Sequence, residues 1–266
     1  MAHQLQMQDD VKLFVEDIGE GKPIVFIHGW PLNQEMFQYQ KEELSARGYR
    51  YIGIDLRGYG QSDKPKTSYS YDEMAQDVKQ VIHQLDLDSY YLAGFSMGGA
   101  IAIRFASTYA DEKLERLILL GAAAPSFMKR QGYEMGMEEE DVEQLKHAIE
   151  DNREQALKEF GKNFFATDVP QDVADKQLRM GLEASEYATL ASLEALRDED
   201  LRDEVYNINV RTTVMHGKKD EICEFGFAEE LERTIPNVEL IPFEESGHGL
   251  IYDERQKLNE ELLKLI

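Results

Sequence analysis

Six short runs recur along the chain in which apolar and β-branched residues follow one another, interrupted by a charge only at Glu239. They are Pro23–Ile27, Tyr51–Ile54, Tyr90–Ala93, Leu117–Leu120, Thr212–Met215 and Val238–Ile241. Runs of this kind are buried on both faces, as in a parallel sheet covered by helices. The opening stretch His3–Asp17 differs. It alternates in short pieces, as a half-buried hairpin would.

Between the runs the spacing becomes helical. Asn33 stands as an N-cap and Gly48 as a C′ residue around a helix from about Gln34 to Arg47. Ser70 and Glu73 have capping-box spacing and open a helix through about Leu85. Helix-like sequence follows Gly94-Phe95-Ser96-Met97-Gly98-Gly99 as far as Tyr109, and from about Asp253 Leu258, Leu262, Leu263 and Ile266 share one face. The alternation of strand and helix breaks only between Ala122 and Asn207, where several amphipathic helices are expected and no strand. The fold class is therefore α/β: a mostly parallel sheet covered by helices on both faces, with a helical cap insertion. Residues 1–121 and 208–266 form the core and 122–207 the cap.

Composition narrows the function. With 29 basic against 52 acidic side chains the chain carries −23, a surface that repels phosphate backbones and anionic lipid headgroups. Nucleic acid and membrane are not expected as partners, and no run approaches the length of a membrane span. Between Glu134 and Glu204 stand 21 acidic and 8 basic residues, so about −13 of the total falls in the cap region. This reads as solvated helix faces, which would also disfavour anionic substrates. The start MAHQLQMQDD lacks a signal-peptide pattern, and the one cysteine, Cys223, fits a reducing cytoplasm. No metal-ligand spacing and no cofactor motif is present, so a cytoplasmic protein without metal or cofactor is expected.

The chemistry concentrates at strand ends. Gly94-Phe95-Ser96-Met97-Gly98 fits the G-x-S-x-G nucleophile elbow, and it follows a strand run and opens a helix as that motif requires. A serine hydroxyl needs an imidazole base and a carboxylate to orient it. Of six histidines, His3 lies near the terminus, His147 in the cap and His83 inside an amphipathic helix. His28 and His216 each end a strand run before a glycine, where they shape turns. His248, in the loop Ser246-Gly247-His248-Gly249 after the last strand, is the candidate base. Asp220, after the Thr212–Met215 run, is the candidate acid, with Glu221 and Glu244 as rivals by proximity. The oxyanion would be held by the Met97 amide and by one from the loop after Ile27. Pro31 cannot donate, which favours Trp30. The Trp30 ring is read as a wall of the acyl pocket or as a core residue. Trp30, Pro31 and Phe95 are the candidate substrate contacts.

The set HGWPLN, DLRGYGQSDKP, GFSMGG, HGKKD and SGHG, with YSYDEMAQDV after the DKP loop, resembles α/β-hydrolases of the cofactor-free haloperoxidase and aryl-esterase group. The resemblance implies the α/β-hydrolase fold, a triad at Ser96, Asp220 and His248, and carboxylesterase activity. It also implies a perhydrolase side activity, in which the acyl group passes to hydrogen peroxide. Proline at position 31 is the form that perhydrolase members tend to carry. Lys218 stands where the family usually has an acid, and Cys223-Glu224 where it has Val-Pro. These departures bear on the shape of the acid loop. Cys223 reads as a small buried apolar residue rather than a second nucleophile. A small neutral ester is the expected substrate. The alternatives are a C–C bond hydrolase of the same fold and a small-molecule receptor with little turnover.

Overall fold

The computed structural model describes residues 1–266. Strands β1 (Ala2–Gln6) and β2 (Lys12–Ile18) form the expected hairpin, and β3 (Pro23–Ile27) follows. A 3₁₀ turn over Gln34–Phe37 leads into α1 (Gln38–Ala46), then come β4 (Arg50–Ile54), α2 (Tyr71–Gln84), β5 (Tyr90–Phe95), α3 (Met97–Tyr109) and β6 (Leu114–Leu120). The excursion carries α4 (Glu139–Gly161), α5 (Gln171–Glu183) and α6 (Glu186–Asp198). The chain closes with β7 (Thr212–Gly217), α7 (Gly226–Thr234), β8 (Val238–Phe243), α8 (Leu250–Asp253) and α9 (Arg255–Leu265).

The eight strands lie in the order β1-β2-β4-β3-β5-β6-β7-β8, parallel from β4 to β8. The absence of polar alternation in the strand runs has its reason here. In β3, Val25 and Ile27 belong to one core and Ile24 and Phe26 to the other. Each face of the sheet is sealed by its own helices, and Leu258 and Leu262 of α9 are buried in the second core. The connection leaves β3 toward β4 on one side and returns to β5 on the other. A crevice therefore opens outside the carboxyl ends of β3 and β5.

Local differences from the expected elements have local causes. Asn33 caps by accepting from the Glu35 amide at 3.0 Å, and the first turn tightens to 3₁₀ before α1 begins. Ser70 accepts from the Glu73 amide, but the Glu73 carboxylate turns to the buried Arg57 at 3.1 Å, leaving the capping box half made. The C-terminal helical stretch breaks at Glu254 into α8 and α9. In the excursion, residues 121–138 form no helix, only turns and two isolated bridges, Met128–Met137 and Arg130–Tyr133. Beyond them α4 kinks at Asn152. The neck of the excursion is closed by the Leu201 amide donating to Pro125 O at 2.8 Å. Arg104 on α3 ties the returning chain down through Glu199 (3.0 Å) and Glu204 (2.7 Å).

Candidate active site

Ser96 stands between β5 and α3 with φ 53° and ψ −120°. For a residue with a Cβ this is a strained conformation, worth about 1–3 kcal/mol, which the surroundings must enforce. They do so by close backbone approach. A Cβ on Gly98 would meet Ile27 O at 2.3 Å, and one on Gly94 would meet Gly98 O at 2.2 Å. The Ser96 amide donates to Leu120 O and its carbonyl accepts from Ala123, so the turn is stitched to the end of β6 and to the loop that follows it.

The Ser96 hydroxyl donates to His248 Nε2 at 2.9 Å, and His248 Nδ1 donates to Asp220 Oδ2 at 2.7 Å. All three side chains are buried. Asp220 Oδ1 accepts from the Ile222 and Cys223 amides, and His216 Nε2 approaches Oδ2 at 3.3 Å while pointing at Cys223 O, 2.6 Å away. Burial opposes ionisation of Asp220. The facing His248 and the hydrogen bonds from His216 and His248 outweigh it, holding the carboxyl well below the usual range. The rival acids Glu221 and Glu244 are exposed and take no part in this chain of hydrogen bonds.

The other histidines hold structure. His28 is fully buried; Nδ1 donates to Gly29 O at 3.0 Å and Nε2 accepts the Leu56 amide at 3.0 Å. Burial pushes its pKa down to about 4, so the ring is neutral and pins the loops after β3 and β4 together. His3 pairs with Asp17, while His83 and His147 are exposed.

A narrow apolar pocket of about 10 Å³ opens at Ser96, walled by Trp30, Phe127, Leu145, Phe160, Leu193, Leu196 and Ile222. Trp30 is thus a wall residue, fixed by its indole N–H donating to Thr189 O at 2.8 Å and by the Phe160 ring 5.0 Å away, edge on. Its backbone amide has no acceptor within the protein. Met97 is the first residue of α3, so its amide is one of the helix's unclaimed N-terminal donors. The other two expected substrate contacts lie elsewhere. Pro31, after a cis peptide, faces an outer cleft between α4 and α5. Phe95 is fully buried in the second core, packed behind the imidazole at 4.8 Å, because it points to the opposite face of β5. Phe127, Leu145, Phe160, Leu193 and Leu196 were not legible as site residues. All come from the excursion; Phe127 lies in its non-helical entry, and the only signal of the other four is an apolar stripe on α4 and α6, whose partner is unknown from sequence.

The departures in the acid loop are also accounted for. Lys218 Nζ lies over the Phe225 ring at 3.6 Å, and that ring covers His216 edge on. Cys223 is completely buried beside Ser96, and burial, with the Asp220 charge, pushes its thiol well up. It is held as the neutral thiol.

Residues 22–255 match a family model described as alpha/beta hydrolase fold. The chain is 51% identical to the AB hydrolase superfamily protein YisY of Bacillus subtilis (strain 168), over 97% of each chain. Among solved structures it is similar to an esterase from Exiguobacterium antarcticum, with TM-score 0.98, 47% identity, and coverage of 100% of this chain and 99% of that one. It is also similar to a bromoperoxidase from Bacillus anthracis, with TM-score 0.95, 32% identity, and coverage of 99% and 98%.

Proposed function

The chain belongs to the α/β-hydrolase fold family, and from that premise we propose that it is a serine esterase of small neutral carboxylic esters, with perhydrolysis as a side activity. The observation that carries this reading is the unbroken line from Ser96 Oγ through His248 to Asp220, at 2.9 and 2.7 Å, opening on an apolar pocket.

In this mechanism His248 Nε2 takes the hydroxyl proton as Ser96 Oγ attacks the ester carbonyl. Asp220 stabilises the imidazolium that forms. The Trp30 and Met97 amides receive the oxyanion. His248 then returns the proton to the leaving alcohol, and water, or hydrogen peroxide, attacks the acyl-enzyme with the same base assisting. Attack by water releases a carboxylic acid; attack by peroxide releases a peracid. The pocket offers the acyl group no cation, which suits a neutral apolar substituent. An esterase and a bromoperoxidase among the similar structures support both outcomes.

The test is hydrolysis of p-nitrophenyl esters of increasing acyl length, with and without hydrogen peroxide, by the wild type and Ser96→Ala. The expected result is turnover of short esters, lowered at least about 10⁴-fold by the substitution. Peracid should form only in the presence of peroxide and Ser96. Equal rates in both proteins would end the esterase reading, and slow single-turnover acylation would point instead to a receptor.

A further inference from the structure

The loop that carries His248 is held by two consecutive carboxylates. Asp253, the last residue of α8, accepts the Gly247 amide at 2.9 Å and, on the same Oδ2 atom, the Ala166 amide at 3.0 Å. Its Oδ1 receives the Thr167 hydroxyl at 3.4 Å. Glu254 accepts the Glu245 amide at 3.0 Å and the Ser246 hydroxyl at 2.7 Å. Both acids serve the residues just before His248, but only Asp253 also reaches the excursion. On the far flank, the Gly249 amide donates to Phe164 O at 2.6 Å, and the Phe164 ring packs edge on against the imidazole at 5.2 Å.

The two segments lie in close contact. A Cβ on Gly247 would meet Ala166 N at 2.8 Å, and one on Gly249 would meet the Phe165 ring at 2.4 Å. Glycine on either side of His248 permits this approach, and it also leaves the loop's own backbone little resistance to moving. A base must be held to within about 0.5 Å of its productive position, so the restraint has to come from outside the loop. A carboxylate oxygen shared by two amides supplies it, with charge-assisted hydrogen bonds and two donors stranded if it is lost.

We propose that Asp253 is a positioning residue for the general base. It docks residues 164–167 of the excursion against the His248 loop, so the imidazole is fixed only while that segment is seated. This rests on the reading of His248 as the base. It goes beyond that reading by making the cap part of the catalytic apparatus rather than only a wall of the pocket.

The experiment measures kcat and KM for p-nitrophenyl acetate in Asp253→Ala and Asp253→Asn, each in the wild-type and the His248→Ala background. Asparagine can place its carbonyl oxygen toward both amides and its NH₂ toward the Thr167 hydroxyl. It should therefore recover most of what alanine loses. Asp253→Ala should lower kcat about 10- to 100-fold with KM within about threefold. In the His248→Ala background the same change should alter the residual rate less than about twofold, because the residue acts through the imidazole. An unchanged kcat, or an equal loss in both backgrounds, would overturn the proposal. His248→Ala with full activity would instead overturn the reading of the base itself. If Asp253→Ala does not fold, Asp253→Glu keeps the charge but displaces the acceptor by a methylene. It should slow kcat and broaden the downfield proton signal of His248 Nδ1–H. A sharp signal with full kcat would count against the proposal.

Discussion

At Ser96 the elbow conformation is enforced by neighbours that leave no room for any residue but glycine two positions away on either side. At His28 a full imidazole is buried to tie two loops together. The second arrangement has a measurable cost in acid. The unfolded ring takes a proton below its ordinary pKa of 6.5, whereas the folded ring resists until about 4. Stability from His28 is thus fully present above pH 6.5 and lost as pH falls toward about 4. Between about pH 7 and about pH 5 this amounts to about 2 kcal/mol. Asp55 acts in the opposite sense. Burial pushes its carboxyl up to about 6, so protonation of the folded form offsets part of the loss over the same interval. His28→Gln should therefore show a smaller loss, or a gain, on acidification relative to wild type, read as urea-unfolding midpoints at the two pH values. At this scale the sequence is informative wherever chemistry depends on local context. Ser96, Asp220 and His248 each stand just past a strand run, and glycines mark the two turns. The donor that His28 receives from Leu56 comes from another loop, and no pattern in the chain announces it.

Among the elements, strands were the most legible, since burial on both faces writes continuous apolar runs into the sequence. β3 spans the same residues in pattern and in structure, Pro23–Ile27. Helix ends were less so, because caps compete with tertiary partners, as Glu73 shows in choosing Arg57 over its own capping box. The excursion was legible as a break in the alternation, but not its pocket-facing residues. Phe160 of α4 illustrates this. It lines both the pocket at Ser96 and the outer cleft that Pro31 faces, so its ring is the partition between them. Phe160→Ala should join the two spaces. Activity on p-nitrophenyl acetate should fall several-fold while kcat/KM for the hexanoate rises about 10-fold or more, as expected when a pocket gains several methylenes of room. An unchanged chain-length profile would mean that the acyl group lies elsewhere.

For the whole molecule the dominant quantity is a charge of −23, most densely placed in the excursion that covers the site. Esters bearing a carboxylate should be turned over poorly at about 20 mM salt and recover several-fold at about 200 mM, while neutral esters of the same size should not respond. A matched series assayed at the two ionic strengths separates this field effect from pocket shape. The closed neck between Pro125 and Leu201 carries a different consequence. A segment whose two ends meet at one backbone hydrogen bond enters and leaves the core at a single place, and exchanging it for another should leave every strand of the sheet in place. Such a graft would still fail as a catalyst unless it brought a carbonyl for Gly249 and an amide for Asp253. In this protein residues 164–167 are where the interchangeable part touches the His248 loop.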